Sequence, residues 1–358
     1  MSTLRSSRGR TRPGAPVTLA DVAERAQVSL ATASRVLNGS ERTVGEELRE
    51  RVMAAAVELR YASHGPAQAL ARATTSIVGL IVHDVRDPYF AAIAAGAMRV
   101  AREDNLMVML ASTFRDPELE LDYLERLRVQ RARAVLLAGS GNTSRSFTQR
   151  LGESARAFED GGGRIACVSH HGVSMDAILL DNRQGGRDIA QLLLDLGHRE
   201  IGIVTGPSQL LTVRHRLDGA REALADAGVE LRDEAIAQGD FSREGGRDAA
   251  IRLLENSPKI SAIFALNDLM ARGVLMALEA TGRRVPEEIS VVGFDDLPVA
   301  EDTSPRLTTV RLPLEEIGAR AMRMVLEPAT ERRRTERIAG EVVLRESTGP
   351  APRRRSRS

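Results

Sequence analysis

At 358 residues, the chain is long enough for two or three domains, and its formal net charge is only +1. The charge is unevenly distributed, because residues 1–74 hold 11 arginines against 7 acidic residues, whereas residues 75–348 carry a net charge of −7. The one cysteine, Cys167, excludes an intramolecular disulfide, and no segment approaches the roughly 20 apolar residues of a membrane span. These features predict a soluble protein whose basic ends are suited to contact with phosphates.

The N-terminal segment, residues 1–15, is polar, rich in arginine and interrupted by glycine and proline, so we predict that it is disordered. From Val17, the string VTLADVAERAQVSLATASRVLN predicts two short amphipathic helices with a tight break between them. Thr18 can cap the first helix together with Asp21, and Ser29 can cap the second. Both helix starts therefore have a physical cause.

The apolar residues of these two helices recur at helical spacing and would pack against one another. The face that this packing leaves free lies near the start of the second helix, and it carries Leu30, Ala31, Ser34, Arg35 and Asn38. Such a face is typical of the recognition helix of a helix-turn-helix, which enters the major groove of DNA. A small helical core without a DNA role is the alternative.

A third helix is predicted from about residue 46 to residue 61, which completes an all-α head at residues 16–62. Its start is open, because Thr43 could form a capping box with Glu46, or Gly45 could occupy the cap position. Residues 63–75 join the head to the rest of the chain. They could form a short helix with a proline in its first turn, or a flexible linker.

From Ser76 onward, apolar runs of strand length alternate with amphipathic helical stretches. The predicted strands are IVGLIV, LMVMLA, AVLLAG, RIACVS, AILLD, IGIVTG, a segment near Ala235, SAIFAL and ISVVGF. The predicted helices span residues 90–102, 119–129, 186–196, 216–227 and 245–254. This alternation indicates parallel α/β sheets, and the number of strands predicts two lobes.

The segment from Val17 to Asn38 resembles the DNA-binding head of the LacI/GalR family of bacterial transcription repressors, which reads approximately V-T-x-x-D-V-A-x-x-A-x-V-S-x-x-T-x-S-R-V-L-N. Gln27 departs from the pattern, because the family usually has glycine there to allow a positive φ in the turn. A residue with a Cβ adopts that conformation at a cost of roughly 1 kcal/mol. We expect docking on DNA to tolerate this cost.

The resemblance implies a homodimer that binds a pseudo-palindromic double-stranded operator. Arg35 would donate to guanine edges, and Leu30 and Ala31 would contact thymine methyl groups or select by fit. Leu70 lies in the segment that matches the family's hinge helix and would wedge into the minor groove. Four more residues complete the predicted DNA-binding set, namely Thr18 and the phosphate contacts Thr32, Ser34 and Asn38.

The rest of the chain resembles the family's body, in which two doubly wound parallel-sheet lobes of the periplasmic-binding-protein type enclose a cleft. This likeness places the body at residues 76–346. One lobe would combine residues 76–176 with 305–333, and the other would combine residues 177–304 with 334–346. Residues 347–358 would form a disordered basic tail.

Polar segments follow the predicted strands, and ligands of open α/β sheets bind beyond the carboxyl ends of the strands. The resemblance implies that Arg216 grips a small-molecule effector and that Asn267 and Asp295 bind its hydroxyls or ring nitrogens. The other implied effector contacts are Asp87, Tyr89, Phe90, Ser169, His170, Thr212 and Phe241. Guanidinium donors beside carboxylate acceptors suit a sugar or a nucleoside-like molecule.

Each of these assignments has a structural alternative. Asp295 could cap the segment that follows it, and Arg216 could form an ordinary ion pair with Asp218 or Glu222. The pair Ser169-His170 departs from the acidic-then-bulky pair that is common in relatives.

The chain contains neither GxxxxGK[ST], nor H-E-x-x-H, nor a cysteine cluster, nor a glycine-rich fingerprint after the first predicted strand. We therefore predict no enzyme, no cofactor, no metal site and no membrane partner. An exported binding protein is opposed by the head and by the lack of a signal peptide, and a DNA-binding protein with a vestigial cleft is a further alternative. The favoured interpretation is a cytoplasmic, nucleoid-associated repressor whose operator affinity is controlled by an effector.

Overall fold

The computed structural model describes residues 17–38, 44–61 and 75–352. They belong to two compact units, a head that precedes Ser76 and a body that begins there. The predicted disordered segment 1–15, Leu70 with the predicted hinge helix, and the arginines from Arg353 onward lie outside the described residues.

The described part of the head contains the helices α1 (Leu19–Ala26), α2 (Leu30–Asn38) and α3 (Glu46–Glu58). The capping box predicted for α1 is confirmed, because the Thr18 hydroxyl accepts from the Asp21 N–H and the Asp21 carboxylate accepts from the Thr18 N–H at 2.7 Å. The Ser29 hydroxyl caps α2 by accepting from the N–H of Thr32 at 3.0 Å. Helix α3 begins after Gly45, which is one of its two predicted starts.

All three helices contribute small apolar side chains to one core, in which Val22, Ala33 and Val52 are fully buried. The turn between α1 and α2 passes through Gln27, whose φ of 54° is the left-handed conformation predicted for it. The Arg51 guanidinium donates to the backbone oxygen of Ala26 at 2.6 Å and ties α3 to the end of α1. The head therefore holds α2 in a fixed orientation on two neighbouring helices.

The body alternates strands and helices, as predicted. Its strands are β1 (Ile77–Val82), β2 (Met107–Ser112), β3 (Ala134–Ala138), β4 (Arg164–Val168), β5 (Asp176–Leu180), β6 (Ile201–Thr205), β7 (Ile236–Gln238), β8 (Ala262–Ala265), β9 (Ser290–Val292), β10 (Thr309–Arg311), β11 (Thr335–Ile338) and β12 (Glu341–Val343). Its helices are α4 (Pro88–Glu103), α5 (Pro117–Val129), α6 (Arg145–Asp160), α7 (Asn182–Asp195), α8 (Leu211–Asp226), α9 (Arg243–Asn256), α10 (Asp268–Ala280), α11 (Val299–Asp302) and α12 (Leu314–Leu326).

The first lobe is built on a parallel sheet with the strand order β11-β5-β4-β3-β1-β2. Successive side chains of a strand point to opposite faces, and both faces of this sheet are covered. Val78 and Leu80 of β1 pack in the cluster that contains α4 and α12, whereas Ile81 packs in the cluster that contains α5 and α6. The first lobe is therefore doubly wound, as predicted.

The second lobe contains a parallel sheet with the strand order β7-β6-β8-β9. The antiparallel pair β10 and β12 lies beside it, because Thr308 bridges Val292 and Arg311 bridges Asp295. The prediction of two parallel-sheet lobes is confirmed.

The predicted lobe boundaries differ from those of the structure. Residues 177–180 and 335–338, predicted in the second lobe, form β5 and β11 of the first sheet. Residues 309–311, predicted in the first lobe, form β10 beside the second. The buried Asp176 explains part of this arrangement, because its carboxylate binds Arg164 of β4 and Arg334 next to β11 and so ties three strands together.

The predicted disordered tail starts too early. Ser347 is fully buried, and its hydroxyl donates to the backbone oxygen of Val291 at 2.6 Å. The N–H of Ala351 donates to the backbone oxygen of Leu196 at 2.8 Å. Residues 347–351 are therefore part of the second lobe, because their backbone and side-chain hydrogen bonds are made with its core.

Helices α6, α10 and α12 were not among the predicted elements, although each packs against a sheet. None of the helices in the described part of the chain is both long and apolar enough to cross a membrane.

Candidate DNA-reading surface and effector pocket

Helix α2 presents the predicted base-reading side chains on its outer face. Leu30 is 54% exposed, Ala31 and Arg35 are also exposed, and Ala33 on the opposite face is fully buried. Leu30 at the start of α2 can offer a methyl contact to a base edge, and Arg35 in its last turn can offer a bidentate donor.

The remaining predicted DNA contacts of the head differ in exposure and in hydrogen bonding. Thr32 and Ser34 are half-buried, and the Thr32 hydroxyl lies 2.8 Å from that of Ser29. The hydroxyl of the exposed Thr18 lies 2.8 Å from the Asp21 carboxylate in the helix cap. Asn38 is the last residue of α2, and its side chain lies outside the described part of the structure.

The body contains a pocket between the carboxyl ends of the strands of its two lobes. Eight of the ten predicted effector residues line it, namely Asp87, Tyr89, Phe90, Thr212, Arg216, Phe241, Asn267 and Asp295. They come from five separate segments of the chain. The structure therefore brings together residues that sequence alone could only place after individual strands.

Arg216 is the centre of the polar part of the pocket and is only 2% exposed. Its Nε donates to Asn182 at 2.8 Å, its Nη1 donates to the backbone oxygen of Leu266, and its Nη2 donates to Asp295 at 2.8 Å. The guanidinium also stacks on Phe294, with Cζ 3.6 Å from the ring centroid. Five donors in a rigid fork leave two N–H groups for a ligand after these three bonds.

Close helix packing fixes the position of Arg216. Helices α7 and α8 approach so closely that a Cβ at Gly186 would collide with the backbone oxygen of Arg216, and one at Gly219 would collide with that of Arg183. The alternative ion pairs do not form, because Glu222 pairs with Arg183 and Asp218 lies 3.7 Å from Arg214. Arg216 therefore points into the cleft rather than along the surface of its helix.

Asp295 faces Arg216 and is 4% exposed. Burial raises the pKa of this carboxyl to about 7, although the neighbouring Arg216 acts in the opposite direction. Its φ of 109° is a backbone conformation that residues with a side chain rarely adopt. The carboxyl pairs with Arg216 instead of capping the following segment.

Asn267 and Asp87 are helix caps as well as pocket residues. The Asn267 side chain accepts from the N–H of Met270 at 2.9 Å at the start of α10. The Asp87 side chain accepts from the N–H of Tyr89 at 3.0 Å at the start of α4, and burial raises its pKa. For both residues, the cap explains the orientation of the polar group at the edge of the pocket.

Aromatic rings form the apolar part of the pocket. Tyr89 and Phe90 meet edge to face with centroids 5.0 Å apart, and Phe241 approaches from the second lobe. Burial raises the pKa of the Tyr89 hydroxyl, so this group is a neutral donor. Flat apolar surfaces next to paired charges suit the ring faces and hydroxyl edges of a sugar or a nucleoside.

The predicted contacts Ser169 and His170 do not line this pocket. Strand β4 ends in a turn at Ser169, whose φ is 72°, and the buried Ser169 hydroxyl lies 3.4 Å from that of Thr212. The turn directs the exposed His170 towards His215, with ring centroids 5.7 Å apart. Ser169 therefore supports a pocket residue, and His170 lies at the junction of the lobes.

Five residues of the lining were not predicted from the sequence, namely His83, Arg115, Gly139, Ser140 and Leu210. His83 and Gly139 directly follow β1 and β3, so their position after a strand was the signal that could have identified them. Burial, with Arg115 and His171 nearby, lowers the pKa of His83 to about 3, so its imidazole is neutral.

Backbone hydrogen bonds join the two lobes beside the pocket. The N–H of Leu211 donates to the backbone oxygen of Gly141 at 2.9 Å, and that of Thr143 donates to Gln209 at 2.8 Å. The N–H of Thr212 donates to the Ser140 hydroxyl at 2.9 Å. The first turn of α8 is thus capped by the opposite lobe. Within the described ranges, no three potential metal ligands are grouped to hold an ion.

Two family descriptions match the chain. The description "Bacterial regulatory proteins, lacI family" matches residues 18–63, and "Periplasmic binding proteins and sugar binding domain of LacI family" matches residues 75–345. The HTH-type transcriptional regulator DegA of Bacillus subtilis (strain 168) is 32% identical over 339 residues, which are 93% of this chain and 98% of DegA.

Solved structures agree with this assignment. A complex of the transcriptional regulator CelR with cellobiose is 32% identical, with a TM-score of 0.68 over 92% of this chain and 99% of CelR. The lac repressor dimer bound to operator and the anti-inducer ONPF is 26% identical, with a TM-score of 0.81 over 94% of this chain and all of that chain. With a helix-turn-helix head and a two-lobed body that both match, the chain belongs to the LacI family of bacterial regulatory proteins.

Proposed function

We propose that this chain is a transcriptional repressor that binds a specific operator and whose operator affinity depends on a small molecule bound in the pocket between the lobes. The observation that carries this proposal is the presence, in one chain, of an exposed recognition face on α2 and a pocket lined by both lobes of the body. A ligand that binds one arrangement of the lobes more tightly shifts the equilibrium towards it.

The head reads DNA through the exposed face of α2. Arg35 donates to a guanine edge, and Leu30 and Ala31 contact thymine methyl groups. Thr32, Ser34 and Asn38 hold phosphates, and Thr18 at the start of α1 is a further DNA contact. The exposure of Leu30, Ala31 and Arg35 supports this arrangement. The proposed minor-groove contact of Leu70 lies outside the described residues.

The effector is a neutral, hydroxyl-rich molecule, either a sugar or a nucleoside. The charges around the pocket support a neutral ligand, because Arg216 pairs with Asp295 and Arg115 lies 4.0 Å from Asp87. A cellobiose complex of CelR, a relative with 32% identity, is consistent with a sugar. Arg216 and Asn267 would bind its hydroxyls, and the rings of Tyr89 and Phe241 would contact its faces.

The functional unit is a homodimer on a pseudo-palindromic operator. Strand β2 is the edge of the first sheet, and it exposes Met107, Met109 and Leu110, with Phe114 59% exposed just beyond it. An apolar edge strand of this kind is a natural template for a second copy. The dimer acts on the chromosome in the cytoplasm and catalyses no reaction.

A direct test selects bound fragments from the parent genome and then measures their affinity by fluorescence anisotropy, with and without ribose, galactose, cellobiose, adenosine and guanosine. We expect one fragment class to bind in preference to random duplex, and one of the small molecules to change that affinity. Arg216→Lys should lose the response while it keeps affinity for the operator. No preference for any duplex would contradict the proposal, and preference without any response would favour a vestigial cleft.

A further inference from the structure

The cleft of the body contains two chambers. The inner chamber is the pocket described above, and an outer chamber that is open to solvent adjoins it. Three side chains line both chambers, those of Asp87, Arg115 and Phe241. These three side chains therefore form the wall between the inner and the outer chamber.

The wall is made by both lobes. Arg115 follows β2 of the first lobe, whereas Phe241 lies between β7 and α9 of the second. The Arg115 guanidinium lies over the Phe241 ring, with Cζ 5.3 Å from the ring centroid, and its Nη2 is 4.0 Å from the Asp87 carboxylate. A cation–π contact thus crosses the cleft at the boundary of the inner chamber.

The backbone holds both partners in unusual conformations. Phe114, Arg115 and Phe241 have φ values of 51°, 65° and 69°, which place three residues with bulky side chains in the left-handed region. The N–H of Phe114 donates to the backbone oxygen of His83 at 2.6 Å and anchors the first-lobe turn. On the second lobe, any side chain at Gly206 would collide with the Phe241 ring. Such conformations are frequent at ligand clamps and switch regions.

Few polar interactions hold this contact together. The Arg115 side chain is only 19% exposed, yet within the described residues it has no hydrogen-bond partner. The nearby Arg216 differs, because all three of its nitrogens donate to protein acceptors. The contact between Arg115 and Phe241 can therefore open without breaking a hydrogen bond of its own, and the unused guanidinium donors remain available to a ligand on either side.

We propose that Arg115 and Phe241 form a gate between the lobes, which closes the inner chamber over a bound effector and opens to the outer chamber for its entry and release. The role of the gate in effector binding rests on the function proposed above. The existence of the gate does not rest on that function, because the contact between Arg115 and Phe241 can be measured without effector or DNA.

The chain contains no tryptophan, so Phe241→Trp introduces a single indole at the gate. Quenching of its fluorescence by acrylamide measures how far the ring is covered. In this background we expect Arg115→Gln to raise the quenching constant about twofold or more, because the guanidinium no longer covers one face of the ring. Arg86→Gln is the matched control, since Arg86 lines only the outer chamber and pairs with Asp84.

An equal quenching constant with Arg115 present and replaced would overturn the gate, as would the same rise for Arg86→Gln. Circular dichroism establishes that each variant is folded. If Arg115→Gln does not fold, Arg115→Lys takes its place, because the ammonium lacks the planar stack of the guanidinium and a smaller rise is expected. No rise in Arg115→Lys would then overturn the gate. The function proposed above would still stand, because operator binding tests it separately.

Discussion

The head and the body place their functional side chains in opposite environments. In the head, Leu30 and Arg35 are exposed on one face of a helix, and the core beneath consists of other residues. In the body, Arg216 and Asp295 are 2% and 4% exposed, and they bind each other as well as facing the pocket. In the head, the side chains that recognise DNA are therefore different from those that stabilise the fold. In the body, the same side chains line the pocket and stabilise the fold.

Arg216→Ala should produce the largest effect, because it leaves Asp295 as a buried carboxyl without its partner and removes the bonds to Asn182 and Leu266. We expect the free energy of unfolding to fall by about 3–5 kcal/mol, as measured by chemical denaturation. Arg214→Ala, two residues away, is the control. That side chain is 63% exposed, so its removal should cost less than about 1 kcal/mol. Equal losses of unfolding free energy in the two variants would mean that the pocket arginine does not stabilise the body more than an exposed arginine does.

Glu120 is a buried carboxyl of the body that lies outside the pocket. It therefore shows what burial alone does to the stability of the body. It is 6% exposed on α5, its Oε1 has no hydrogen-bond partner within the described residues, and burial raises its pKa from 4.5 to about 7. The folded state therefore holds the proton more tightly than the unfolded state. The stability that this proton provides is fully present below about pH 4.5 and is lost as the pH rises through about 7.

Glu120→Gln removes this titration, so the unfolding free energies of the variant and the unmodified chain should diverge by roughly 3 kcal/mol between pH 4 and pH 8, with the variant gaining. Denaturation at several pH values provides the measurement. Asp295 titrates in the same direction in both proteins and cancels in the difference. The exposed Glu118 on the same helix gives the control variant, Glu118→Gln, for which a parallel divergence would contradict the assignment to burial.

The sequence predicted the head in more detail than the body because its signals are local. The capping box of Thr18 and Asp21, the left-handed Gln27 and the exposed face of α2 all depend on residues within a few positions of one another. Most pocket residues could also be placed, since each follows a strand. Which of them share one pocket depends on contacts between distant segments, such as Arg216 with Asp295.

The errors have the same origin. Asp176 binds Arg164 and Arg334 and so helps to hold residues 177–180 and 335–338 in the first sheet, and neither spacing nor composition marks such a long-range ion pair. Arg115 was missed because it stands three residues after β2, in a turn whose left-handed φ values no sequence rule requires of Phe or Arg. Ser169 and His170 lie outside the lining of the pocket, where β4 ends in a left-handed turn that the sequence does not reveal.

Arg35→Ala tests the head's side of the comparison. We expect a loss of roughly 1–3 kcal/mol in operator binding, concentrated at one base pair of each half-site, because a guanine contact is removed. The free energy of unfolding should change little, since Arg35 is exposed. Anisotropy titrations on an operator selected from genomic fragments, and on its single-base variants, provide the measurement. A uniform loss across all duplexes would instead assign Arg35 to a phosphate.

The smallest effect is expected at Gln27, where the head has a side chain at a left-handed turn position that the family usually fills with glycine. Gln27→Gly relieves the left-handed φ of 54° and should stabilise the turn by up to about 1 kcal/mol. The amide of Val28, which donates to Ala23 at 3.0 Å across this turn, should then exchange with solvent up to about fivefold more slowly in the full chain. Gln191→Gly is the control of opposite sign. It places glycine inside α7 of the body, where it should lower the stability of the helix by about 1 kcal/mol. Faster exchange of Val28 in Gln27→Gly would mean that the freedom glycine gives the unfolded chain outweighs the strain that Gln27 stores in the head.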